Sequence, residues 1–366
     1  MPDKKKWIIG IVAGWMVASL VVGVAVGVFL KRLWTKPLNP GLPTLVPTAT
    51  QGVIATETPE VTATPSSAEP TDTPIPTATF TPSPTPEPMC GGPSNMVILA
   101  LGTNRGFYDL ADVIRVVNVD FTTGDVYIVP IPRDLLVDLP PDATTYPSPQ
   151  KINEGYFLGT PVWQWGANES GGAALMAQTL AYNFGISVDR YVVVSGQGFR
   201  KLVDALGGVQ VYLPAPVVDK KQNANFPAGS QILDGYHAWL LARIRSDVGD
   251  LGRIDRQTMI LKALLARVTS PDILPKLPDL VNLYKALVLT DLSPQEMSQL
   301  VCLLQQMDDP KARFHFYSVP KDLLEETGEI IYIGPNKTTV PQDVLIWDER
   351  YKQWLHDALQ GKVPVK

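Results

Sequence analysis

A layered α/β fold, set behind a membrane anchor and a linker rich in proline and threonine, is what this 366-residue sequence predicts. Three observations predict it. From Asn95 onward, short apolar runs alternate with helix-patterned segments, so a sheet must be covered by helices. The 24 residues from Trp7 to Leu30 carry no charged side chain. The 52 residues from Pro37 to Pro88 hold 13 prolines, 13 threonines and no lysine or arginine.

Residues 1–6 form a short N-terminus expected in the cytoplasm. Residues 7–30 are long enough to cross a bilayer as a helix. No small-residue cleavage site follows them, so an uncleaved single-pass anchor in the cell membrane is expected. Lysines and arginines flank the stretch on both sides, and the positive-inside rule is nearly a tie. The linker, residues 31–94, breaks the tie. Its Pro/Thr tract cannot bury enough apolar surface to fold, and it suits an extracytoplasmic stalk. As an extended spacer the tract would reach on the order of 160 Å, and as a flexible coil roughly 40 Å.

Residues 95–366 are expected to be one α/β domain. Met96 to Leu101 is an apolar run closed by Gly102, the pattern of a buried strand. Val113 to Val119 and Val126 to Val129 follow as strands joined by a tight turn. Residues 138–170 read as a loop or lid rich in Pro, Gly and aromatics. Gly171 to Phe184 places Ala174, Ala177, Ala181 and Phe184 at helical spacing. Tyr191 to Val194 and Val209 to Leu213 read as strands, with a helix from Gly198 to Leu206 between them that Gly207 and Gly208 end. Tyr236 to Leu241 and Arg253 to Val268 read as helices. Leu280 to Leu287, Ser293 to Met307 and a strand Phe314 to Ser318 complete the domain within 271–366.

Several chemistries are excluded. With a net charge of −5 and no basic helix-turn-helix, no nucleic-acid partner is expected. The three histidines, His237, His315 and His356, lack metal-ligand companions at motif spacing. No P-loop or Gly-x-Ser-x-Gly elbow occurs. Cys90 and Cys302 are either a disulfide or two thiols.

Arg243, Arg245, Arg253 and Arg256 crowd into fifteen residues of this acidic chain. On a strand, Arg243 and Arg245 would project from one face. On a helix, Arg253, Arg256 and Gln257 would share a face, with Asp250 as the N-cap. Arginines at a helix start oppose its dipole and make sense if an anion lies between them. Guanidinium forks match phosphate oxygens in pairs. Two readings stand: a pyrophosphate clamp, or surface arginines paired with Asp247, Asp250 and Asp255.

The segment from Leu233 to Gln257 closely resembles a signature of the LytR-CpsA-Psr family of cell-envelope glycopolymer transferases. Further similarities follow in that family's order: Val97 to Gly102, Asp112, Ile131 to Asp134, Lys151 to Asn153, and Val203 to Val209. They cover roughly residues 95 to 270, with a weaker echo at Thr290 to Ser293. The resemblance implies a mixed central β-sheet flanked by helices. It implies a phosphotransferase that moves a glycopolymer from a polyprenyl-pyrophosphate donor to a peptidoglycan hydroxyl. It assigns Arg133, Arg243, Arg245, Arg256 and Gln257 to the pyrophosphate; Arg253 is either a further ligand or a helix-surface ion pair, and Lys151 either a phosphate contact or an exposed lysine. Asp134 and Asp250 are candidates to orient Arg133 or to activate the acceptor. Mg²⁺ would lie at Asp112 and Asn104. Asn104 stands where the family usually has aspartate, which motivates the alternative of a non-catalytic binder of polyprenyl phosphate or wall polymer.

Overall fold

The computed structural model describes residues 31, 34–43, 87–104, 106–107, 109–160, 171–245, 249–276, 287–333 and 338–365. The expected anchor at 7–30, the linker tract at 44–86, residues 161–170 of the expected loop, Asp247 and the helix expected from Leu280 lie outside the described residues, Leu287 apart. Among the described residues no helix is long and apolar enough to cross a membrane.

Strands β1 (Asn95–Thr103), β2 (Ala111–Asp120) and β3 (Val126–Pro130) form an antiparallel meander. A short pair follows, β4 (Leu136–Val137) with β5 (Gln150–Lys151), then helices α1 (Ile152–Leu158) and α2 (Gly171–Phe184). Thus a helix lies inside the region expected to be a loop. Strand β6 (Arg190–Ser195) runs parallel to β1 and leads into α3 (Gly196–Ala205). Next come β7 (Val209–Leu213), the hairpin β8 (Val217–Asp219) and β9 (Ala224–Phe226), and β10 (Gly229–Leu233), which pairs back on β7. Helices α4 (Gly235–Leu241) and α5 (Gly249–Val268) precede β11 (Val288–Thr290). The chain closes with α6 (Pro294–Gln306), α7 (Pro310–Arg313), β12 (Phe314–Phe316), the hairpin β13 (Leu324–Ile333) and β14 (Thr338–Trp347), and α8 (Glu349–Leu359).

The central sheet has the order β11-β6-β1-β2-β3-β12 and mixes parallel and antiparallel pairs. The period-2 alternation of its strands sends side chains to two cores. Leu99, Leu101, Ile114 and Val116 face α2 and α8, where Met176, Leu180, Phe184, Tyr351 and Leu355 are buried. Met96, Ile98, Val119 and Ile128 face the other way, onto Leu265 of α5 and Leu303 of α6. The expected layered α/β architecture is therefore the observed one. A third cluster, built by α3, α4 and β7 to β10, adds a small lobe. The predicted turn after α3 is also present: Gly207 and Gly208 have φ of 78° and 92°, which side chains with a Cβ rarely adopt.

Both ends of the Pro/Thr tract touch the domain. Asn39 Nδ2 donates to the Thr290 carbonyl at 2.8 Å, and Tyr191 Oη donates to the Pro40 carbonyl at 3.1 Å. At the other end, Met89 N donates to Phe121 O at 2.8 Å, and Cys90 is disulfide-bonded to Cys302 of α6. The disulfide resolves the two alternatives left by the sequence. It closes a separation of 212 residues, which restricts the unfolded chain strongly. Cys302→Ser is expected to lower unfolding stability by about 2–4 kcal/mol, read by denaturant titration. An unchanged midpoint would show that the bridge constrains nothing the rest of the fold does not already hold.

Candidate functional site

The site gathers at the end of β1, the start of β2, the turn after β3 and the first turns of α5. Arg133 is its centre. Proline at 132 removes a donor and favours a turn, and the turn's backbone is held from two sides. Asn153 N donates to Arg133 O at 3.3 Å, and Leu345 N donates to Asp134 O at 2.9 Å.

The Arg133 guanidinium meets three carboxylates from three places in the fold. Nη1 donates to Asp112 Oδ1 at 2.5 Å, and Nε donates to Asp250 Oδ1 at 3.2 Å. Asp134 Oδ2 lies 3.4 Å from Nε. Lys151 Nζ donates to Asp134 Oδ1 at 2.7 Å. Arg253 Nη2 is 2.8 Å from Asp250 Oδ1, and Arg245 Nη1 is 4.0 Å from the same oxygen. Among the described residues, four cations thus surround three carboxylates and leave a net positive charge.

Burial makes these charges interact strongly. The Arg253 side chain is only 4% exposed, whereas Arg245 is 54% exposed and forms the rim. For Asp134, burial pushes the carboxyl up, but Arg133 and Lys151 outweigh it and hold it below the usual range. For Asp250, burial and the Asp134 charge prevail over Arg253 and Arg133, and its carboxyl is raised. Burial opposes the charge of Arg133, yet its three carboxylates strengthen it. Burial and Arg133 lower Arg253. Two adjacent carboxylates are therefore tuned in opposite directions, the pattern expected of an ionised partner and a proton-exchanging one.

Asn104 lies just beyond β1, one register step from the start of β2 where Asp112 sits. Its Oδ1 is buried with no hydrogen-bond partner among the described residues, as are Asp250 Oδ2 and Arg253 Nε. The Asn104 backbone passes close to α3: a Cβ on Gly196 would come within 2.1 Å of Asn104 O and 2.6 Å of Trp239 Nε1. Glycine at 196 is what allows this approach.

Other expected residues do different things. Arg243 and Arg245 do not alternate on a strand, because they lie in the turn after α4. Arg243 lays its guanidinium over the Trp239 ring, 4.4 Å from the centroid. Asp250 does not cap α5 as expected. The helix begins at Gly249, so Asp250 lies in its first turn and points its carboxylate at Arg133 and Arg253. Arg256 was expected to converge with Arg133. Its Nη1 donates to the Ile244 carbonyl at 2.7 Å, which braces the turn carrying Arg243 and Arg245. Gln257 likewise serves structure: Nε2 donates to Ala242 O at 3.3 Å and Oε1 accepts from Arg115 at 3.4 Å. Asp204 Oδ1 accepts from Gly235 N at 2.7 Å and ties α3 to α4.

Sequence reasoning missed two buried charged groups. Arg115 is 3% exposed beneath the site, and its Nη2 donates to Ile254 O at 3.3 Å. Burial and nearby Arg253 push it down to about 10. Its signal was an arginine in the middle of an apolar strand. Glu154 of α1, beside Lys151, is pushed up to about 7 by burial. Its signal was weaker, an acid in a segment expected to be a loop.

A model described as the LytR_cpsA_psr family matches residues 82–342. A Bacillus subtilis (strain 168) protein named polyisoprenyl-teichoic acid–peptidoglycan teichoic acid transferase TagV is 31% identical over 241 residues, 64% of this chain and 56% of that protein. The Oceanobacillus iheyensis transferase TagU is 28% identical over 209 residues, 57% of this chain and 61% of that protein. This chain thus spans less than two thirds of the length of either relative. The crystal structure of B. subtilis TagV aligns with a TM-score of 0.55 at 26% identity, covering 74% of this chain and 99% of that one. A structure of TagT bound to LIIa-WTA, at 19% identity and a TM-score of 0.52, covers 74% of this chain and 91% of that one and shows likeness of fold.

The roles of Arg253 and Arg256 can be separated. Arg253→Lys is expected to weaken binding of a lipid pyrophosphate by about tenfold, because an ammonium cannot reproduce a guanidinium fork, with little change in melting temperature. Arg256→Lys is expected to lower the melting temperature and leave that affinity nearly intact. Calorimetry and thermal melts on both variants check this, and the opposite ranking would return Arg256 to the anion site.

Proposed function

This chain belongs to the LytR-CpsA-Psr family, and from that premise we propose that it transfers a glycopolymer from a polyprenyl-pyrophosphate donor to a peptidoglycan hydroxyl during cell-wall assembly. The observation that carries the reading is the partly buried cluster of Arg133, Lys151, Arg245 and Arg253 with the oppositely tuned pair Asp134 and Asp250. Phosphoryl transfer needs positioning and charge neutralisation more than covalent help. In this reading the acceptor oxygen forms a bond to the glycopolymer phosphorus, and the P–O–P bridge to polyprenyl phosphate breaks. The acceptor proton passes to Asp250, whose raised carboxyl suits proton exchange. Arg133, Arg253 and Lys151 stabilise the charge that develops on the departing phosphate. Arg243 extends the positive rim from its perch on Trp239.

Mg²⁺ fits this site in a limited way. Among the described residues no three histidines, cysteines or acids form a metal cluster. Asp112 and Asn104 Oδ1, which has no hydrogen-bond partner among the described residues, are the groups that would hold the ion, with donor phosphates completing its oxygen shell. When bound, it would supply further neutralisation of the phosphate oxygens. Asn104 also motivates the alternative, a non-catalytic binder of the same lipid. In both readings residues 7–30 anchor the chain and the domain lies outside the cytoplasm.

Turnover of a lipid-pyrophosphate analogue in the presence of peptidoglycan decides between transfer and mere binding. Binding without turnover, with and without Mg²⁺, would defeat the transferase reading. The metal has its own test: Asn104→Asp is expected to tighten Mg²⁺ by about tenfold or more without lipid, because the missing charge is restored. Equal affinities by calorimetry would place Asn104 away from the metal. The pH dependence follows from the carboxylate pair. Asp250 must be ionised to take the proton, so activity falls as pH drops through its raised pKa. The Asp134 charge helps raise that pKa, so Asp134→Asn is expected to move the acid limb of the rate profile to lower pH. An acid limb that stays in place, or moves up, would remove Asp250 from the proton-accepting role.

A further inference from the structure

We propose that Asn39 to Leu42 forms a strap that holds the α/β domain at a short, fixed height over the membrane. The chain between residues 44 and 86 then does not set that height. The proposal rests on reading residues 7–30 as a membrane span, and it is independent of the reaction assigned to the site.

The strap is a built contact. Asn39 Nδ2 reaches the Thr290 carbonyl at 2.8 Å, and the Pro40 carbonyl accepts from Tyr191 Oη at 3.1 Å. The Asp291 carboxylate is 1% exposed, accepts from Tyr191 N at 2.7 Å, and interacts favourably with the Leu42 amide. The Leu42 side chain packs against the main core, beside a cluster that includes Leu99, Tyr191 and Val193. The receiving surface is the edge of the central sheet formed by β6 and β11, not a mobile loop.

The sequence prepares the segment for docking. Pro37, Pro40 and Pro43 each fix φ near −65°, and each biases the preceding residue toward extended backbone. A segment already extended loses little entropy on binding an edge. Docking is also intramolecular. The chain is fastened again at Met89 and Cys90, so the strap meets its edge at an effective concentration on the order of millimolar.

The consequence is mechanical. A chain fixed to one domain at Leu42 and at Cys90 transmits no tension through the residues between. The height over the bilayer then depends on residues 31–38, whose eight residues reach at most about 28 Å. Their composition suits the headgroup zone: Lys31 and Lys36 accompany Trp34 and Leu38, which are 50% and 39% exposed. A tract of 52 residues in series would instead allow roughly 40 to 160 Å. The pyrophosphate of a lipid-linked donor sits at the bilayer surface, within the shorter range and beneath most of the longer one.

The test uses the full chain in nanodiscs containing acceptor-labelled lipids, with a donor dye on an unnatural amino acid at the exposed position 212. Energy transfer to the lipids reports height. Four proteins are compared: wild type, a deletion of residues 50–80, Asn39→Ala/Leu42→Ser, and the deletion combined with that double variant. The strap predicts that the deletion alone leaves transfer unchanged. It predicts that the double variant lowers transfer at least twofold, and that the deletion restores part of it only in that background. A deletion that changes transfer in the wild type, or a double variant that does not, overturns the proposal. Exchange of the Leu42 amide, which interacts with Asp291, identifies which premise failed. Incorporated protein with that amide unprotected sinks the strap. Protein that fails to enter nanodiscs while keeping it protected sinks the membrane premise and, with it, the fixed height.

Discussion

One guanidinium organises this molecule. Arg133 is placed where carboxylates from β2, from its own turn and from α5 converge, and each of those elements arrives there for a separate reason. The strand Ala111–Asp120 is fixed by sheet register. The turn is fixed by Pro132 and by backbone bonds from Asn153 and Leu345. Helix α5 is fixed by burying Ile254, Ile260 and Leu265 in the cores around the sheet. Removing one partner of such a partly buried group leaves charge less fully compensated, which destabilises the arrangement. The cluster therefore joins three elements as well as presenting a charged surface.

The same burial that makes the cluster costly makes it chemically useful. In a partly desolvated site, interactions between neighbouring charges are several times stronger than in water. Asp134, held between Arg133 and Lys151, stays ionised. Asp250, more dominated by burial and by the Asp134 charge, binds its proton more tightly. Two residues of one chemical type thus have their acidities shifted in opposite directions by their surroundings alone. Arg115 below them extends this economy: it holds Gln257 and the α5 backbone from within the sheet, so the floor of the site is also ionic.

The N-terminal attachment shows a comparable division of labour. The disulfide from Cys90 to Cys302 and the contacts of Asn39 to Leu42 secure the two ends of the Pro/Thr tract to different edges of one domain.

By itself the sequence determined the local elements and the chemical vocabulary. Apolar runs marked β1, β2, β3, β6 and β7, helical spacing marked α2 and α5, and the arginine-rich segment marked the region of the site. These signals are local, because side-chain periodicity belongs to a single element. The sheet order, the hairpin of β13 with β14 and helix α8 were not legible, because strand partners distant in sequence leave no periodic trace. The choice between Arg253 and Arg256 was equally hidden. Three positions along a helix turn the side chain by only about 60°, so both fit one broad face. Packing of α5 against the sheet sets each one's partner, turning Arg253 toward Asp250 and placing Arg256 against the Ile244 carbonyl. Asp112, Arg133, Lys151 and Asp250 are far apart along the chain, and only the tertiary structure brings their charges within range, since Coulomb interaction depends on distance in space and not on distance in sequence.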